Sequence, residues 1–243
     1  MTPAFPGLPG ASGSGAQGPA VPAPARRAPA TSASGSKAGS WQYAEHFVPE
    51  SEAVERARTR ARELGIAAVG NGAGALLQTL CAAVDARAVV EVGTGAGVSG
   101  LWMLGGMPRD GVLTTIDAEA EHLRAARTAF AELGVRSGRI RGITGRAVDV
   151  LPRLTEGGYD LVLLDADPIG TAAYLERAVR LLRPGGVVAL HGALSADRAG
   201  DPAQRDPVTT AVRELSRALR SSPDLLPALV PSGEGLLLAA RRR

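Results

Sequence analysis

From Trp41 onward the chain alternates short apolar runs with amphipathic stretches. Apolar positions spaced by helical turns, with Glu and Arg between them, predict a helix over Pro49–Leu64 that Gly65 closes. Gly74–Val84 is apolar on nearly every side and predicts a buried helix. Ala88–Val92, rich in Val, predicts a strand running straight into Gly93-Thr94-Gly95-Ala96-Gly97. Helix Val98–Leu104 follows, then a turn at Pro108–Gly111, strand Val112–Ile116, helix Glu119–Leu133 and a strand at Ile140–Ile143. Next come a short helix Ala147–Leu154, strand Tyr159–Leu164, helix Ala172–Leu182 stopped by Pro184-Gly185-Gly186, and strand Val187–Leu190. Helix Pro207–Leu219 leads to a final hairpin, Leu225–Val230 with Gly235–Ala240.

Strands that alternate with helices, and are apolar along their length, predict an α/β fold. The expected core is a doubly wound, mostly parallel seven-stranded sheet with an antiparallel hairpin added at its C-terminal edge. Such sheets bind ligands beyond the carboxyl ends of their strands, where the strand order reverses. The residues there are Gly93–Gly97, Asp117, Gly145–Ala147, Asp165–Asp167 and His191.

Composition changes the picture mainly at the N-terminus. Thirty of the first forty residues are Ala, Gly, Pro or Ser, and none is acidic, so residues 1–40 are expected to be a disordered tail preceding a domain at 41–243. The tail lacks the continuous apolar stretch of a secretion signal. Its Arg26, Arg27 and Lys37 account for the whole net charge of +3, leaving 24 basic against 24 acidic residues in the domain. That neutrality argues against a nucleic-acid partner. A single cysteine, Cys81, sits in an apolar helical run and reads as core, consistent with a cytoplasmic location. No apolar run is long enough to span a bilayer.

The glycine turn carries the most chemistry. Glycines between a strand and a helix let backbone amides approach a ligand where a side chain would clash. Gly95-Ala96-Gly97-Val98-Ser99-Gly100 fits the dinucleotide fingerprint, but two residues further from the strand than usual. Glu91 just before the turn would repel a pyrophosphate and suit the cationic methionyl group of S-adenosylmethionine, unless its carboxylate only anchors the loop. Asp117, ending the second strand, is placed to take ribose hydroxyls, with a helix cap as the alternative.

The segments Glu91–Gly97, Leu113–Asp117, Leu163-Leu164-Asp165-Ala166-Asp167 and Leu182-Arg183-Pro184-Gly185-Gly186 occur in this order. Together they resemble the cation-dependent O-methyltransferase family that includes catechol and caffeoyl-CoA O-methyltransferases, over roughly residues 45–240. An actinobacterial branch of O-methyltransferases related to that family is the nearest likeness. The resemblance implies a Rossmann-like domain that uses S-adenosylmethionine on a small-molecule acceptor, as a homodimer. It implies that Val69, Glu91, Gly93, Thr94 and Ser99 contact the methionyl end. By the same resemblance Asp117 takes the ribose, Ala118, Arg146 and Ala147 border the adenine, Asp167 lines the cofactor side, and Asp165 faces the substrate.

Two departures matter. The family's usual lysine after the fourth-strand motif is replaced by Pro168, which cannot exchange a proton. The usual Asp-Asn pair ending the fifth strand, which with the fourth-strand aspartate holds a divalent metal, is replaced by His191-Gly192. Asp165 with His191 is too thin an oxygen donor set for Mg²⁺, so no metal site is expected. His191 then becomes the candidate general base, the alternative being a buried histidine bonded to backbone. Asp165 would orient the substrate hydroxyl. His46 and His122 carry no expected role. Three other readings stay in view: a tRNA hydroxyuridine methyltransferase, a nicotinamide-dependent oxidoreductase, and a cofactor-binding protein without catalysis.

Overall fold

The computed structural model describes residues 36–243, so most of the expected tail, residues 1–35, lies outside the described residues. The expected boundary at residue 40 moves, because helix α1 spans Lys37–Glu45 and Ser36 caps it by accepting from the Gly39 amide at 3.0 Å. No residue of α1 is buried. Glu45 ties it down instead, accepting from the Gly72 amide (3.1 Å), the Ser232 hydroxyl (2.8 Å) and the Gly233 amide (3.1 Å). A helix with no apolar stripe leaves no periodic signal, which is why composition alone misplaced the boundary.

The remaining order is α2 (Glu52–Glu63), α3 (Asn71–Ala83), β1 (Ala88–Val92), α4 (Val98–Gly106), β2 (Val112–Asp117), α5 (Ala120–Glu132) and β3 (Ile140–Thr144). Then come α6 (Ala147–Val150), β4 (Tyr159–Leu164), α7 (Pro168–Thr171), α8 (Leu175–Leu181), β5 (Leu182–His191), α9 (Pro207–Ser221), β6 (Leu225–Val230) and β7 (Leu236–Arg241). One seven-stranded sheet has the order β3-β2-β1-β4-β5-β7-β6. The pairs among β1 to β5 are parallel, and β7 is antiparallel to both β5 and β6. The doubly wound α/β expectation is borne out, C-terminal hairpin included.

Alternate residues of the central strands feed two cores. Val89, Leu113, Leu161 and Leu163 pack with Leu77, Met103 and Phe130 from α3, α4 and α5. Val90, Ile116, Val162 and Leu164 pack on the other face with Leu181, Leu215 and Leu219 from α8 and α9. Burial on both faces explains why these strands lack polar alternation. Truncating a fully buried leucine such as Leu77 or Leu163 to alanine costs about 2–5 kcal/mol.

Two local readings differ from the structure. The helix expected over Ala172–Leu182 is shortened to α8, a separate short helix α7 precedes it, and the Thr171 and Tyr174 hydroxyls meet at 2.9 Å where the two adjoin. Pro184-Gly185-Gly186 lies within β5 as a bulge: Tyr159 pairs with Leu182, but Leu161 already pairs with Val187. Arg183 in this bulge donates to Asp160 at 2.5 Å, and Asp160 also accepts from the Arg87 and Ala88 amides at 2.7 and 2.8 Å. That buried carboxylate fixes the start of β1 against β4.

Candidate active site

Because β1 has β2 on one side and β4 on the other, the strand order reverses at its carboxyl end. A cavity of about 420 Å³ opens there, within the size range of small-molecule sites. Val69, Gly93, Thr94, Ser99, Asp117, Ala118, Arg146, Ala147, Asp165 and Asp167 all line it. Glu91 and His191, the other residues expected at the site, do not.

The floor is the glycine turn. Gly93 sits at φ 95°, and a Cβ there would meet the Asp165 carbonyl oxygen at 1.9 Å, so only glycine lets the ends of β1 and β4 close up. Below the turn Glu91 is fully buried, accepting from the Ser99 hydroxyl at 2.5 Å and the Thr115 hydroxyl at 2.6 Å. Thr94 and Thr115 share a further bond of 2.6 Å. Burial pushes the Glu91 carboxyl up to about 8 against the pull of those hydroxyls, with Asp165 and Asp117 adding repulsion. Glu91 therefore anchors the loop from beneath, uncharged at neutral pH, rather than presenting a carboxylate to the cavity. Glu91 is expected from the sequence to touch a cationic methionyl group directly, but it is fully buried beneath the turn and does not line the cavity.

One end of the cavity is Asp117. Its Oδ2 accepts from the Gly95 amide at 2.9 Å, and its Oδ1 accepts from the Glu119 amide at 2.9 Å and faces His122 Nδ1 at 3.1 Å. The carboxylate thus ties the glycine turn to the residue that precedes α5, where Glu119 is the N-cap, and it also borders the cavity. His122, given no role from the sequence, lines the cavity as well. So do Ile66, Ala67 and Ala68, which precede α3 and carry no distinguishing sequence signal. The signal available for His122 was its place in the first turn of the helix that follows Asp117.

The other end is Asp165, held at the close of β4 by its amide's 2.8 Å bond to the Val92 carbonyl. His191 Nδ1 lies 2.7 Å from Asp165 Oδ1, with only 9% of the histidine side chain exposed. Its Nε2 is buried without a hydrogen-bond partner among the described residues. Burial opposes charge on this imidazole, but the Asp165 bond and charge, with the fields of Glu234 and Glu45, outweigh it and hold His191 above its usual value. His191 therefore stands behind Asp165 and, unlike it, does not line the cavity. Asp167 lines the cavity and also caps α7, accepting from the Gly170 amide at 3.0 Å, with Pro168 as the first helical residue. Cys81 is core, its thiol pushed up to about 12 by burial.

Among the described residues no three His, Cys, Asp or Glu side chains gather as a metal site. Asp165 and His191 point at one another, and glycine at 192 adds no donor. The donor set does not fit a divalent metal.

The O-methyltransferase family pattern matches residues 44–242, and the chain belongs to that family. A Mycobacterium ulcerans protein named as an O-methyltransferase is 53% identical over 199 residues, covering 82% of this chain and 89% of that protein. A crystal structure of a Corynebacterium glutamicum protein is 33% identical with a TM-score of 0.77, covering 83% of this chain and 95% of the other. The O-methyltransferase TomG of Streptomyces achromogenes, solved with S-adenosylmethionine and involved in tomaymycin synthesis, is 30% identical with a TM-score of 0.74, over 83% and 95% of the two chains. Family membership sets aside the nicotinamide oxidoreductase reading.

Proposed function

We propose that this S-adenosylmethionine-dependent O-methyltransferase acts on a hydroxyl of a small acceptor held against Asp165, without a divalent metal. The observation that carries the reading is one cavity bounded by Asp117 from the end of β2 and by Asp165 after β4. The residues suit the cofactor: a glycine turn with no room for a Cβ at 93, an acidic group at the end of β2, and the apolar wall Ile66–Val69. When bound, S-adenosylmethionine supplies an electrophilic methyl group on a sulfonium and leaves as the thioether.

The chain's part is positioning and proton handling. His191 holds Asp165 Oδ1, which leaves Oδ2, free of hydrogen bonds among the described residues, to accept the acceptor hydroxyl and its proton. Pro168 takes no part in proton transfer, and the segment from Ile66 to Val69 lines the cavity as an apolar wall. A homodimer suits the exposed Trp41, Tyr43 and Phe47 on and after α1, which leave apolar surface for a second copy. A cytoplasmic location agrees with the lone buried cysteine, and among the described residues no helix is long and apolar enough to cross a membrane.

The test is transfer of labelled methyl from S-adenosylmethionine into a cell extract split into small-molecule and RNA fractions. Label in the small-molecule fraction, insensitive to RNase, is the expected result. Label only in RNA would replace this reading with the tRNA hydroxyuridine methyltransferase.

A further inference from the structure

We infer that His122 completes the ribose site, taking one hydroxyl of the cofactor's vicinal diol through Nε2 while Asp117 takes the other. The inference rests on the proposed cofactor site and adds a residue to it. It comes from counting acceptor positions at Asp117. A carboxylate oxygen offers two lone pairs. On Oδ1 both are engaged, by the Glu119 amide at 2.9 Å and by His122 Nδ1 at 3.1 Å. On Oδ2 one is engaged, by the Gly95 amide at 2.9 Å. One position remains, and a diol brings two donors.

The second acceptor is already on the cavity wall. His122 lines the same cavity as Asp117, with 27% of its side chain exposed. Donation of the Nδ1 hydrogen to a carboxylate fixes the imidazole in the tautomer whose Nε2 is a bare acceptor. Nε2 makes no hydrogen bond among the described residues. Asp117 cannot turn a fuller face to the diol without losing either the glycine turn or the Glu119 amide, so a shared arrangement costs less than a rearranged one. His122 is thus a specificity residue for the ribose, and Asp117 is positioned by it.

Calorimetry with S-adenosylhomocysteine and its 2′-deoxy and 3′-deoxy forms tests this on the purified full chain, with no acceptor needed. Two variants separate the roles: His122→Asn keeps a donor near the Nδ1 position and removes the far acceptor, whereas His122→Phe removes both. The expected result is a loss of roughly tenfold in S-adenosylhomocysteine affinity for His122→Asn. For one of the two deoxy forms that loss should vanish, because the hydroxyl concerned is gone. Unchanged affinity in both variants would overturn the inference. An equal loss for all three ligands would overturn it too, since it would mark His122 as only structural; ligand-free melting temperatures identify a variant that fails to fold. Failure of the wild type to bind S-adenosylhomocysteine would instead overturn the cofactor reading on which the inference rests.

Discussion

His191 Nδ1 lies 2.7 Å from Asp165 Oδ1, a contact that ties a buried imidazole to a carboxylate on the cavity wall. Only Asp165 reaches the cavity; the imidazole is its support.

The support has a pH signature. Asp165 holds the His191 imidazole above its usual value, so it titrates above pH 6.5. Below that point His191 is a cation against the carboxylate, and above it the imidazole is neutral. Turnover at saturating cofactor should therefore rise as pH passes through the raised His191 value. His191→Asn keeps a donor to Asp165 and removes the titration, so that limb should flatten with cofactor affinity unchanged. A limb that persists in His191→Asn would show that His191 does not tune Asp165.

Glu91 gives a stability prediction with its own window. Its folded value of about 8 lies above the ordinary 4.5, so the folded state keeps a proton that the unfolded chain releases. Stability from this group is complete below pH 4.5 and is lost as pH rises through about 8. His191, also raised, adds a loss of the same sign that begins as pH rises past its ordinary 6.5. Glu91→Gln keeps partners for Ser99 and Thr115 while removing the ionisation, so the ligand-free variant should gain on the wild type in melting temperature between pH 6 and 9. Parallel melting curves across that range would contradict an uncharged Glu91.

Asp117→Ala should weaken S-adenosylhomocysteine binding by about 1.5–3 kcal/mol, roughly ten- to a hundredfold, because it removes a charged acceptor and releases the glycine turn. Calorimetry beside a melting curve distinguishes this from unfolding. Full affinity would leave Asp117 as a cap on α5 and nothing more.

Deleting residues 1–35, whose composition is poor in apolar bulk, should leave cofactor affinity unchanged, provided Ser36 is kept as the cap of α1. Weaker binding by tenfold or more would assign the segment a part in the site.

The fold was legible because its signals are local. Ala88–Val92 and Tyr159–Leu164 were delimited residue for residue, since β-branched and leucine runs bounded by turn residues leave little choice. The bulge at Pro184–Gly186 was not, because it depends on β4 as a neighbour and not on the residues themselves. At the site, sequence identified the strand-end residues that reach the cavity but could not rank them by depth. Glu91 and His191 sit at the right strand ends, yet tertiary contacts turn one under the loop and the other behind Asp165. His122 went unassigned because its partnership with Asp117 is a fact of helix geometry behind the strand.

The central claim is that Asp165, backed by His191, performs methyl transfer without a divalent metal. The most direct measurement is methyl-label transfer to the small-molecule fraction by wild type and Asp165→Asn, each with and without EDTA. The account predicts wild-type transfer that EDTA leaves intact and a large loss, on the order of a hundredfold, in Asp165→Asn. Transfer abolished by EDTA and restored by Mg²⁺, or undiminished in Asp165→Asn, would contradict it.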